Sequence, residues 1–107
     1  FAAQDCHLED ADMEAIGKMT ELVNLNVEGN SITARKLSTL LNLLNLKELN
    51  LADNPIDSSA LSVMLKVRTP MMIYMPSSFW NDRTIAPMEK RFGAKYLNSR
   101  AHVLEPD

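Results

Sequence analysis

The sequence predicts an α/β solenoid, with a curved parallel β-sheet on its concave face and short helices or 3₁₀ turns on its convex face. Three observations predict it: a repeat of 24 residues, apolar and polar residues that alternate within each copy, and apolar residues at every third position between copies. Repeats with periods of about 20 to 50 residues are typical of proteins in which each copy is one structural unit.

The repeat is clearest in the middle of the chain. Residues 22–32 read L-x-x-L-x-V-x-x-N-x-I and residues 46–56 read L-x-x-L-x-L-x-x-N-x-I, with a constant offset of 24 residues. Degraded copies continue at the same offset toward both ends. Because alternating apolar and polar residues indicate a half-buried strand, we expect strands near residues 1–3, 24–27, 48–51, 72–75 and 96–99.

The two middle copies resemble the leucine-rich repeat family, in its intracellular or bacterial type. The resemblance extends along the chain and implies a single domain over residues 1–107, about four and a half repeats long, with residues 94–107 as its C-terminal cap. The N-terminus has no such cap, because Phe1 already falls inside a strand position. We therefore expect the chain to be the C-terminal part of a longer protein.

The turn after each strand is expected to place a polar side chain inside the domain. A buried asparagine can both donate and accept hydrogen bonds there, so it can satisfy backbone groups that the turn leaves unpaired. Asn30 and Asn54 occupy this position in the middle copies, and Cys6 and Ser78 occupy it in the flanking ones. We expect these four residues to form a ladder along the sheet.

Residues between the inward-facing strand positions are expected to face solvent on the concave side, which leucine-rich repeat proteins present to their partners. The later copies contribute tyrosine and arginine, which are frequent in interaction hot spots. The predicted partner-binding residues are Asn24, Asn26, Glu28, Glu48, Asn50, Asp53, Met72, Tyr74, Tyr96, Asn98 and Arg100.

Several classes of site are absent from the sequence. No nucleotide-binding, zinc or hydrolase motif is present, so we expect no catalytic residue, no metal site and no cofactor. The only cysteine, Cys6, is followed by His7, but neighbouring strand residues point to opposite faces and do not form a catalytic pair. One cysteine in 107 residues is typical of a reducing compartment. No apolar run is long enough to cross a membrane.

These observations favour a protein-binding scaffold or adaptor without catalytic activity, in the cytoplasm or another reducing intracellular compartment. The alternative is the recognition domain of a larger enzyme, such as a ubiquitin ligase or a secreted bacterial effector. RNA binding is disfavoured by the net charge of −3, although bases outnumber acids by seven to four in residues 58–107. The sequence leaves the partner and the oligomeric state open.

Overall fold

The computed structural model describes residues 1–69 and 71–99, which form a parallel sheet covered on one side by short helices. The strands are β1 (Asn24–Asn26), β2 (Glu48–Asn50) and β3 (Met72–Tyr74), and they lie side by side in that order. Leu25 pairs with Leu49, and Leu49 pairs with Ile73, so the strands are in register at the 24-residue offset.

The helical segments occupy the stretches between the strands. Thr33 and Asp57 begin two of them, because each side chain accepts a hydrogen bond from the backbone N–H two residues further on. Gly93, with φ 92°, ends the last α-helix. In chain order the segments are α1 (Asp10–Ile16), a 3₁₀ helix (Ala34–Asn42), a 3₁₀ turn (Ser58–Ala60) leading into α2 (Leu61–Met64), α3 (Ile85–Phe92) and a 3₁₀ turn (Ala94–Tyr96).

The core lies between the inner face of the sheet and the helical segments. The central residue of each strand, Leu25, Leu49 or Ile73, is fully buried. The residue two positions later in each copy is also fully buried, because alternate side chains of a strand point to the same face. Helical residues complete this layer with Met13, Leu37, Met64 and Met88, all without solvent exposure.

The predicted solenoid is wrong: the described residues form a small compact α/β domain with an open sheet that does not curl. The radius of gyration is 12.8 Å, close to the roughly 13 Å of a globular domain of this length. At predicted strand positions 1–3 and 96–99, pairing is reduced to single bridges, Ala2 with Asn26 and Ile73 with Leu97. Three short strands cannot accumulate a solenoid's curvature, and the helical segments close around one core instead.

The predicted C-terminal cap, residues 94–107, is described only in its first part. Residues 94–96 form a 3₁₀ turn, and the C-terminal part of the cap, residues 100–107, lies outside the described residues. Among the residues that are described, no helix is both long enough and apolar enough to span a membrane.

Candidate binding surface on the outward face of the sheet

The outward face of the sheet, opposite the core, holds six of the predicted partner-binding residues in two columns. The strand register places Asn24, Glu48 and Met72 side by side, and all three are exposed. The second column contains Asn26, Asn50 and Tyr74, which are half-buried. Neighbouring strands lie about 4.8 Å apart, so one partner can contact all three strands at once.

The two asparagines of the second column are occupied by the turns that follow them. The Asn26 side-chain oxygen accepts the N–H of Glu28 at 3.1 Å, and the Asn50 oxygen accepts the N–H of Ala52 at 3.0 Å. The Asn50 amide also donates to Glu28 Oε1 at 3.0 Å. Asparagine commonly bonds its own backbone two residues on, and this sequence signal was missed in predicting these residues as partner contacts.

Tyr74 occupies the same column without such a role. The residue two positions further on is Pro76, which has no backbone N–H to donate. An asparagine at position 74 would therefore have no turn amide to bind. Within the described residues the Tyr74 side chain makes no hydrogen bond, and it is only partly buried, so its accessible part is available to a partner.

At Met72, a shallow pocket of about 260 Å³ opens between β3 and the C-terminal 3₁₀ turn. Its walls are Lys47, Met71, Met72 and Tyr96, of which Met72 is 39% and Tyr96 is 42% exposed. The Lys95 ammonium lies 5.0 Å from the centre of the Tyr96 ring, within cation–π range. Lys47 and Met71 were not predicted, because both precede the strand residues on which the alternation was counted.

Asp53 belongs to a turn that recurs at the repeat offset. Asp5, Gly29 and Asp53, spaced by 24 residues, all have a positive φ, of 53°, 73° and 55°. At Gly29 a β-carbon would lie only 1.9 Å from Asp5 Oδ1, so glycine is required there for space as well as for conformation. Asp53 is exposed, but its backbone conformation shows that it also shapes the turn.

The predicted ladder is formed fully only at its two asparagines. Asn54 is buried, and its amide donates to Val27 O and Leu51 O at 3.0 Å each while its oxygen accepts from Ile32 N–H at 3.0 Å. Asn30 is bonded in the same manner, donating to Val27 O and accepting from Leu8 N–H, both at 2.8 Å. Each asparagine thus joins its own turn to the preceding copy.

The other two ladder positions differ. Cys6 is exposed, and it is its backbone N–H that donates to the Asn30 oxygen at 3.0 Å, while the thiol contacts Gln4 O at 3.2 Å. Ser78 is also exposed, and its hydroxyl donates to Ile56 O at 2.6 Å. Serine has one donor where asparagine has two, so it replaces only part of the bonding.

Asn98, predicted to face a partner, instead ties the end of β3 to the chain beyond it. Its oxygen accepts from Met75 N–H at 3.0 Å and from the Trp80 indole at 2.8 Å, and its amide donates to Met75 O at 2.8 Å. Trp80 is 3% exposed and packs edge-on against Phe79, with ring centres 5.0 Å apart. Arg100, the last predicted contact, lies outside the described residues.

Two carboxyl groups on the helical side have lowered pKa values. A hydrogen bond from Lys36 at 3.0 Å, with the attraction of its charge, lowers the pKa of Glu14. Hydrogen bonds from Ser59 lower the pKa of Asp57. Among residues 1–69 and 71–99, no three His, Cys, Asp or Glu side chains cluster as metal ligands would.

Comparison with known proteins adds no relative to this description. No protein-family model matches the chain, and neither the curated proteins nor the solved structures yielded a match. The resemblance to leucine-rich repeats stays a prediction from the sequence pattern.

Proposed function

We propose that this chain is a protein-binding module without catalytic activity of its own, and that its partner contacts the outward face at the β3 end. The observation that supports this is the grouping of Met72, Tyr74 and Tyr96, three large side chains that stay partly or fully accessible. Side chains of this size on a rigid sheet can bury apolar area against a partner at a low cost in conformational entropy.

Polar groups surround this apolar end in the arrangement that protein interfaces commonly have. Asn24 and Glu48 are exposed on the neighbouring strands, and Lys47 stands at the wall of the 260 Å³ pocket. A hydrophobic centre with a polar rim provides affinity at the centre and specificity at the edge. We propose that the tyrosines provide the affinity and that Lys47 and Glu48 orient the partner.

The test is the double substitution Tyr74→Ala with Tyr96→Ala, assayed on a partner identified by affinity purification and mass spectrometry. Calorimetry should show a Kd raised at least tenfold, about 1.4 kcal/mol, because both substitutions remove contact area. Thermal unfolding should change by no more than about 1 kcal/mol, as for accessible sites.

The matched control is Arg35→Ala, which shortens an exposed residue of the 3₁₀ helix Ala34–Asn42, on the helical side. It should leave the Kd unchanged. Equal binding by the tyrosine variant and the native chain would overturn the proposed surface, and a larger loss of stability would mean that the tyrosines serve the fold.

We also propose that the chain works in a reducing compartment, since its single cysteine, Cys6, is exposed and unpaired. The alternative function is that of a recognition domain in a larger enzyme, such as a ubiquitin ligase or a secreted bacterial effector. The same outward face would then hold a substrate instead of a scaffold partner. The full-length sequence distinguishes the two, because only the second requires a catalytic domain elsewhere.

A further inference from the structure

A second surface, which we call the loop edge, lies at the N-terminal ends of the strands. It is formed by residues 17–23, 41–47 and 65–69, which are equivalent segments of successive copies. Two open grooves of about 540 and 900 Å³ cross it, and Leu44 borders both. Leu44 is 61% exposed, so its side chain is accessible from both grooves.

The charges of the loop edge are mostly positive. The larger groove is lined by Lys18, Lys66 and Arg68 and by no acidic residue. The smaller groove is lined by one base, Lys47, and one acid, Glu21, which form no salt bridge with each other. The excess of positive charge is notable in a chain whose net charge is −3.

Lys66 and Arg68, the two cations beyond α2, line the groove that contains no acidic residue. The charge of Lys18 contributes to the lowered pKa of Glu14, so Lys18 is partly compensated within the chain. Lys66 and Arg68 are both exposed, and neither forms a salt bridge within residues 1–69 and 71–99. A ligand with carboxylates can therefore bind these two cations without displacing an existing partner.

Apolar side chains alternate with these cations. Leu44 and Val23, which is 52% exposed, border the smaller groove, and the half-buried Leu41 borders the larger one. A ligand that carried charged groups but no apolar groups would leave this apolar surface exposed to water. A ligand that combines carboxylates with aliphatic side chains would satisfy both components.

We propose that the loop edge binds an acidic peptide segment, at cations that do not line the pocket of the outward face. The carboxylates of the peptide would contact Lys66 and Arg68, and an aliphatic side chain would pack against Leu44. The concave shape favours a peptide over a bilayer surface. The residues that line the two grooves include no aromatic ring on which a nucleic-acid base could stack.

The test selects binders from a displayed library of random twelve-residue peptides on the whole chain, in parallel with the variant Lys66→Glu/Arg68→Glu. A matched control, Arg83→Glu/Lys90→Glu, reverses two exposed cations that line neither groove. The consensus peptide is then synthesised, and its Kd is measured by fluorescence anisotropy at two salt concentrations. Circular dichroism verifies that each variant is folded.

Selection should enrich peptides in Asp and Glu next to Leu or Ile, and Lys66→Glu/Arg68→Glu should weaken the consensus peptide at least tenfold while the control changes it less than twofold. Leu44→Ser should weaken it several-fold, with little salt dependence in the loss. Absence of acidic enrichment, or equal weakening by both charge reversals, would overturn the proposal. So would binding to phosphatidylserine vesicles without binding to acidic peptides. The tyrosine substitutions should not affect this peptide, so this result is independent of the outward face.

Discussion

The turns after β1 and β2 differ from the turn after β3, although all three stand at the same repeat position. The first two combine an outward asparagine, a residue with positive φ and a buried asparagine, as in Asn50, Asp53 and Asn54. The third has Tyr74, Ser77 and Ser78 at these positions, and Ser77 does not have a positive φ.

A polar residue on the outward face is therefore not always available for binding. Asn26 and Asn50 are partly used in closing their own turns. The turn after β3 is closed in another way, with Phe79 N–H donating to Pro76 O at 3.0 Å. Because that turn does not need a hydrogen bond from the side chain at position 74, the tyrosine there is free to contact a partner.

The largest effect is expected at the buried asparagine of the second turn. Asn54→Ala removes three donor contacts and one acceptor contact, which leaves buried backbone groups without partners. We expect a loss of about 3 kcal/mol in the free energy of unfolding, measured by urea denaturation.

Two matched substitutions complete that test. Ser78→Ala, at the equivalent position of the third turn, removes one hydrogen bond from an exposed site and should cost about 1 kcal/mol. Asn45→Ala removes an exposed amide and should remain within about 0.5 kcal/mol of the native chain. Equal losses for Asn54→Ala and Ser78→Ala would contradict the difference between the turns.

An intermediate effect is expected from exchanging the outward residues. Asn50→Ala should cost about 1 kcal/mol, because it breaks the bonds to Ala52 N–H and to the Glu28 carboxylate. Tyr74→Asn alone should recover no such stability, since Pro76 offers no N–H.

Combining Tyr74→Asn with Pro76→Ala supplies both the acceptor and the donor. A double-mutant cycle should then give a favourable coupling of about 0.5 to 1 kcal/mol. Additive changes in that cycle would show that the proline is not the reason why asparagine is absent from the third turn.

The smallest effect is expected on the helical side, where Lys36 bonds Glu14 across the first two copies. The pKa of Glu14 is lowered, so the stabilisation from this carboxylate is present above its unfolded pKa of about 4.3 and is lost as pH falls through the lower folded pKa. Lys36→Met should raise the pKa of Glu14 toward its ordinary value in an NMR titration.

Asp57 is the internal control for that titration. Its pKa is lowered by hydrogen bonds from Ser59 and not by Lys36, so Lys36→Met should leave it in place while Ser59→Ala raises it. A Glu14 pKa that stays low without Lys36 would show that the contact between the copies contributes nothing to it.

The direction in which a side chain points could be predicted from the sequence for some residues and not for others. Leu25 and Leu49 were predicted to face inward, and they are fully buried. Asn98 was assigned to the outward face by counting alternate residues, which applies only within a strand. The preceding residues form a 3₁₀ turn, so the count does not extend to Asn98, and its amide bonds Met75 and Trp80.

The order of residues was enough to predict which apolar side chains avoid water and that equivalent residues recur every 24 positions, because both follow from residue type and spacing. That the described copies close into a compact domain and not a solenoid could not be predicted in this way, since closure depends on how helices and strands fill one core. The tertiary structure also determines which polar groups remain available. Asn50 and Glu28 bond each other across neighbouring strands, and a hydrogen bond depends on where the second atom lies.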